Sequence, residues 1–182
     1  VECRDNLGSS TPETIRCKIK LSMAYHNIGQ NTKALDLLNE CAKEAAHTTL
    51  LDKVLCLTIK EGLASCNLAA GNISGAIRLQ EVALSEGERI LPADSPTLLE
   101  SRANLAAYYS KSGDYRKSAS LLEQNLASFV HMQGVATSDV IETRSSLACM
   151  YFLAGRQSEA IELNSNTLEL CKIHMDPLHS NL

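Results

Sequence analysis

Apolar residues recur along this chain on two scales. Over stretches of about four turns they fall three and four residues apart, the spacing that lines one face of a helix. On the larger scale the whole pattern returns every 42 residues: Leu21, Leu63, Leu105 and Leu147 keep this step, and so do Gly29, Gly71, Gly113 and Gly155. One residue after each leucine is a small residue: Ser22, Ala64, Ala106 and Ala148. Four after it come Tyr25, Asn67, Tyr109 and Tyr151, and thirteen after it Ala34, Ala76, Ser118 and Ala160. The column twenty-one residues on reads Ala42, Leu84, Leu126 and Leu168. A period between 20 and 50 residues signals stacked supersecondary units.

Each column has a physical reading. Leucine and tyrosine, one helical turn apart, share a face of a first helix, here A. Glycine stops that helix in a left-handed or tightly turned conformation. Asn72 and Asp114 follow directly and cap a second helix, B. The two small columns let A and B cross closely. The pattern predicts A helices at 12–28, 50–70, 96–112 and 138–154, and B helices at 31–47, 73–90, 115–131 and 157–174. Thr11-Pro12 and Ser95-Pro96 each put a capping hydroxyl before a proline at the first helical position. Thr49 and Asp52 form a capping box, and Gly134 matches Gly8 at three periods.

Composition supports helix-on-helix packing. The 182 residues are 45% hydrophobic but only 4% aromatic, with no tryptophan, so small and aliphatic side chains do the packing. Nine glycines and four prolines are too few for strands joined by frequent tight turns. The net charge is −4 and no basic patch stands out, which argues against nucleic acid as a partner. No apolar run approaches a membrane span, and no signal peptide is expected. Seven cysteines, Cys3, Cys17, Cys41, Cys56, Cys66, Cys149 and Cys171, include no Cys-x-x-Cys and lie mostly within helical apolar patterns. They read as free thiols of a reducing, cytoplasmic compartment.

Asn104-Leu105-Ala106-Ala107-Tyr108-Tyr109-Ser110-Lys111-Ser112-Gly113-Asp114-Tyr115 resembles the core of a tetratricopeptide (TPR) repeat. The 42-residue length, and links such as Leu91-Pro-Ala-Asp-Ser-Pro96, resemble the subtype of kinesin light chains and of arrays in NLR-like signalling ATPases. The resemblance implies an all-α fold: a right-handed α-solenoid of stacked antiparallel helix pairs, about four repeats, at 7–48, 49–90, 91–132 and 133–174. It implies one array over 1–182. Val1–Leu7 reads as the tail of a preceding helix B and Met175–Leu182 as the link into a following repeat, and open array ends are expected to allow self-association.

The same resemblance implies a function. TPR arrays bind peptides on a concave surface lined by helix A. Relative to the key leucine, the lining columns are Ile19, Glu61, Ala103 and Ser145 (two before); Met23, Ser65, Ala107 and Cys149 (two after); His26, Leu68, Ser110 and Phe152 (five after); and Asn27, Ala69, Lys111 and Leu153 (six after). Arg16 and Lys20 give way to Glu100 and Glu142 at the Arg16-equivalent positions, so the edge changes sign. The expected partner-binding set is Arg16, Lys20, Met23, His26, Asn27, Ser65, Leu68, Asn104, Ala107, Lys111, Cys149 and Phe152, with another protein or a peptide as partner. The alternative is a regulatory or self-assembly segment of an NLR-like protein. The Lys/Asn carboxylate clamp of chaperone-binding arrays is missing. The asparagine that kinesin light chains place before the key leucine stands only at Asn104, against Lys20, Gly62 and Ser146. No cofactor, metal or catalysis is expected. Cys171, His174 and His179 lack a zinc spacing, and a Cys/His pair of His26 with Cys66 or Cys149 lacks an orienting group and an oxyanion site.

Overall fold

The computed structural model describes residues 11–47 and 53–175. Within them lie eight helices: α1 (Pro12–Asn27), α2 (Asn31–His47), α3 (Lys53–Ala69), α4 (Ile73–Ile90), α5 (Pro96–Ser112), α6 (Tyr115–Gln133), α7 (Ser138–Leu153) and α8 (Gln157–Met175). Each consecutive pair packs as an antiparallel hairpin, so the fold is all-α and built from about four solenoid repeats. The helix limits follow the 42-residue pattern closely. The Thr49–Asp52 capping box, Gly8 and the two end segments lie outside the described residues.

The recurring glycine closes every hairpin. Gly29, Gly71, Gly113 and Gly155 have φ of 78°, 81°, 85° and 83°. At each, the glycine N–H donates to the carbonyl three residues back (His26, Leu68, Ser110, Phe152), and the next N–H to the carbonyl five back (Tyr25, Asn67, Tyr109, Tyr151). This double bond pattern satisfies helix-end carbonyls and needs the left-handed conformation. A Cβ at Gly113 would meet nothing within 4 Å, so strain there is purely conformational. Gly113→Val is therefore expected to cost about 1–3 kcal/mol in urea unfolding. Gly113→Asn is expected to cost less, since asparagine tolerates this region. A Gly113→Val variant with an unchanged midpoint would disprove the turn.

Caps start the following helices. The Asn72 and Asp114 side chains accept from the Gly75 and Lys117 N–H groups, at 3.1 and 3.2 Å. Thr11 and Ser95 do the same for Thr14 and Leu98, each at 3.3 Å and each before a proline. The tyrosine column adds a second closure. Lys33 covers Tyr25, Lys117 covers Tyr109 and Arg156 covers Tyr151, with the cation 5.4, 4.8 and 3.9 Å from the ring centre. Where the column holds Asn67, its carbonyl instead accepts from the Asn72 amide at 2.9 Å.

Both small columns are buried at all eight positions. They form the contacts where the helices of a pair approach. Gly62 extends this to the packing of α2 on α3, since a Cβ there would come within 3.0 Å of Leu38.

The chain divides after Leu91 into two compact units. In the first, Ile15, Ile19, Ala34, Leu38, Cys41, Ile59 and Cys66 form a buried cluster, with Tyr25, Leu35 and Leu63 against it. In the second, Leu98, Leu99, Leu105, Tyr108, Tyr109, Val140 and Leu147 are the large buried apolar residues, with Ala119 among the small ones. The leucine column does not share one fate: Leu105 and Leu147 are buried, Leu63 is half-buried and Leu21 is exposed. Leu168 is likewise exposed, unlike its equivalent Leu84.

A basic column escaped the sequence reading. Three residues before each key leucine stand Lys18, Lys60, Arg102 and Arg144. Each binds an oxygen within its own unit. Lys18 donates to Glu40 and Glu44, each at 2.7 Å, and Lys60 pairs with Glu86. Arg102 donates to the Ala93 carbonyl at 3.3 Å, and Arg144 to Thr167 Oγ1 at 2.8 Å. Burial alone would lower the Lys18 pKa, but its hydrogen bonds to the Glu40 and Glu44 carboxylates outweigh it and raise the value above the ordinary 10.5.

Candidate functional site

The A helices α1, α3, α5 and α7 bury the small column that follows the key leucine. The residues two, five and six positions after that leucine then project from the other side of each helix. The column two after is exposed at Met23, Ala107 and Cys149 and half-buried at Ser65. The column five after is half-buried at His26, Leu68 and Ser110, while Phe152 is 59% exposed. The column six after, Asn27, Ala69, Lys111 and Leu153, is exposed throughout. Arg16 and Lys20 are exposed on α1, and Asn104 is half-buried on α5. The column two before the leucine corrects the expectation in one place. Ile19 is not a surface residue: it is buried in the cluster with Ile15, Leu38 and Ile59. A β-branched apolar side chain at that register is drawn into the core, where Ala103 and Ser145 stay exposed.

Two members of the expected set are brought together across a repeat boundary. His26 Nε2 lies 3.1 Å from Ser65 Oγ, joining α1 to α3. Its Nδ1 lies 2.8 Å from Asn31 Oδ1 at the start of α2. An amide oxygen can only accept, so Nδ1–H donates to it and fixes the ring, leaving Nε2 to face Ser65. The order Asn–His–Ser is that of a hydrolytic triad. Ser65, however, sits inside α3, where helix hydrogen bonds occupy the neighbouring N–H groups, so no backbone donors converge on an oxyanion. The trio acts as a polar clasp between adjacent repeats.

The cysteine expectations divide. Cys66, next to Ser65, is buried; burial pushes its thiol pKa up, away from nucleophilic use. Cys41 is buried too, and its thiol is pushed up to about 11, chiefly by burial. Cys17 and Cys149 are exposed. Cys171 is half-buried; the His174 side chain and His179 lie outside the described residues. Among the described residues no three His, Cys, Asp or Glu side chains are grouped to hold a metal ion. No described helix is long and apolar enough to cross a membrane.

The charge change also has a physical place. In the first unit the edge carries Arg16 and Lys20. In the second, Glu100 and Glu142 line one cavity, with Asp139 beside them. At the far end of α7, Tyr151 donates to Glu123 at 2.8 Å, and Arg156 holds Glu159 through two bonds of 2.7 and 2.6 Å. That pairing lowers the Glu159 pKa.

Comparison with known proteins agrees with this fold. Residues 98–129, from α5 into α6, match the family described as tetratricopeptide repeat. A Podosopora anserina protein classed as a kinesin light chain, with nearly identical TPR-like repeats, has the same fold: TM-score 0.82, 24% identity, over 92% of this chain and 79% of that one. BtubC (BKLC) from P. vanneervenii matches with TM-score 0.74 and 18% identity, over 87% of this chain and 63% of its own. A Rap protein complexed with Competence and Sporulation Factor matches with TM-score 0.70 and 14% identity, over 93% of this chain and 46% of its own. No curated protein matches in sequence. One tetratricopeptide repeat is matched at 98–129, its glycine turn recurs in four hairpins, and the chain has the fold of the kinesin-light-chain TPR-like repeats.

Proposed function

We propose that this chain is a protein-interaction module that binds a peptide or partner segment on the surface lined by helices α1, α3, α5 and α7. The observation that carries this reading is the uncovered apolar side chains in the lining columns: Met23 at 55% exposure, Phe152 at 59% and Leu153 at 45%. Side chains of this size are suited to anchor a partner segment. The Rap structure supports the reading by analogy, since that protein, of the same fold, is held with a factor. We read the four pairs as one array in a reducing cytoplasm, with Arg16, Lys20 and Lys111 orienting a partner's charges along it.

Selection of peptides from a displayed random library against the chain tests this. Phe152→Ala and Lys111→Glu are expected to weaken the selected peptides at least about tenfold while leaving thermal unfolding unchanged. Equal binding by both variants would overturn the reading. A self-assembly segment is the second reading, favoured by Ile161 and Leu168, exposed on one face of α8. A monomer–oligomer equilibrium in sedimentation, lost on Ile161→Ser, would place the interaction there instead.

A further inference from the structure

Within the second unit, α5, α6 and the start of α7 line an open cavity of about 560 Å³. That is within the range of small-ligand and side-chain pockets. Its apolar walls include Leu99, Leu122, Phe129 and Met132. Three carboxylates stand on it: Glu100 from α5, and Asp139 and Glu142 from α7. No Lys, Arg or His is among its lining residues. Two of the carboxylates already accept one local bond, Asp139 from Gln133 at 3.0 Å and Glu142 from Ser138 at 3.3 Å, each through one oxygen.

A second, independent feature stands in the wall of the same space. Asn125, on α6 and only 2% exposed, lines the cavity. Its Nδ2 donates to the Leu99 carbonyl at 2.8 Å, which holds the amide in one orientation. Its Oδ1 has no hydrogen-bond partner. A buried amide oxygen left without a donor is costly and calls for one from outside.

We infer that this cavity receives an arginine side chain from a partner protein segment. The apolar walls suit the aliphatic stem, and the Phe129 ring offers a face for the cation. The guanidinium brings five N–H donors and no acceptor, matching a lining of carboxylate and amide oxygens. A carboxylate ligand would meet three like charges. The inference rests on the interaction-module reading and adds the chemistry of the partner at one position.

The test uses the 182-residue chain and three short fluorescent peptides. Each carries leucines flanking a central residue that is arginine, norleucine or glutamate. Polarisation is expected to show the arginine peptide binding about tenfold more tightly than the norleucine one. The glutamate peptide is expected to be weakest, and added salt to erode the arginine advantage. The double variant Glu100→Gln/Glu142→Gln is expected to remove most of that advantage without altering norleucine binding or melting. In NMR spectra the Asn125 side-chain amide is expected to shift on adding the arginine peptide. Equal affinity of the three peptides at this cavity, or an arginine preference that survives the double variant, overturns the charge chemistry but leaves the interaction-module reading standing. Absence of saturable binding by all three also overturns it. Shifts confined to the outer face of α8 overturn both.

Discussion

Leu147→Ala is expected to lower stability by about 3 kcal/mol, within the range for emptying a buried leucine site. Leu21→Ala, at the same place in the repeat, is expected to cost under about 1 kcal/mol. The two leucines are identical in type and helical register, so propensity cancels between them. What differs is surroundings: Leu147 is 1% exposed and Leu21 is 47% exposed. Around Leu147, close-packed neighbours cannot fully relax into the space left by three lost carbons, so a cavity cost adds to the lost transfer energy. Around Leu21, water takes the space. Urea unfolding of both variants measures the contrast. Equal losses would mean that the repeat register, and not tertiary burial, sets the cost.

Lys18→Met carries the next largest expected effect, a loss of about 3 kcal/mol at neutral pH, the lower end for breaking a buried ion pair. Methionine keeps the apolar stem and removes the charge. Lys18 is buried, its two bonds go to Glu40 and Glu44, and Glu44 is itself largely buried. Without the cation, Glu44 keeps its desolvation cost and loses the bond from Lys18. Glu40 is more exposed, and water screens it, which holds the estimate at the low end. The pH dependence has a definite sign. The Lys18 pKa is raised in the folded state, so its contribution is complete below the ordinary value of 10.5 and is lost as pH rises through the raised one. The stability gap between wild type and Lys18→Met is therefore expected to be constant from neutral pH to about 10 and to narrow above it. A gap that widens in alkali would overturn this account of the pair.

Much of the fold is legible in the amino-acid order because it is local. The glycine turns, the Asn72 and Asp114 caps and the Thr11-Pro12 and Ser95-Pro96 starts involve residues within five positions of one another. Their geometry follows from φ preference and short hydrogen bonds. The small columns are legible for a related reason: two helices joined by a short turn can approach closely only where no large side chain intervenes. The basic column at Lys18, Lys60, Arg102 and Arg144 was equally open to reading at the same period. Its partners were not, because each repeat supplies a different oxygen: two carboxylates, one carboxylate, a backbone carbonyl and a threonine hydroxyl. A column shows where a side chain stands and leaves its neighbour undetermined.

The candidate surface divides the same way. The lining columns came from register and family resemblance, and Met23, Phe152, Leu153 and Lys111 do stand exposed. Ile19 does not, because its neighbours Leu38 and Ile59 come from two other helices. The contact of His26 with Ser65, 39 positions apart in the chain, depends on how α1 meets α3. The orphaned Asn125 oxygen depends on which way the amide turns once Leu99 claims its nitrogen.

By itself, then, the order of residues determined the repeat, its period, the helix limits and the turns, since these are settled by backbone preference and by side chains close in sequence. Tertiary structure alone decided which leucines of one column are core, which acid answers which base, and where a buried amide oxygen is left without a donor in the wall of an acidic cavity. Those outcomes depend on desolvation and on contacts between helices, and both are set only when distant segments have packed.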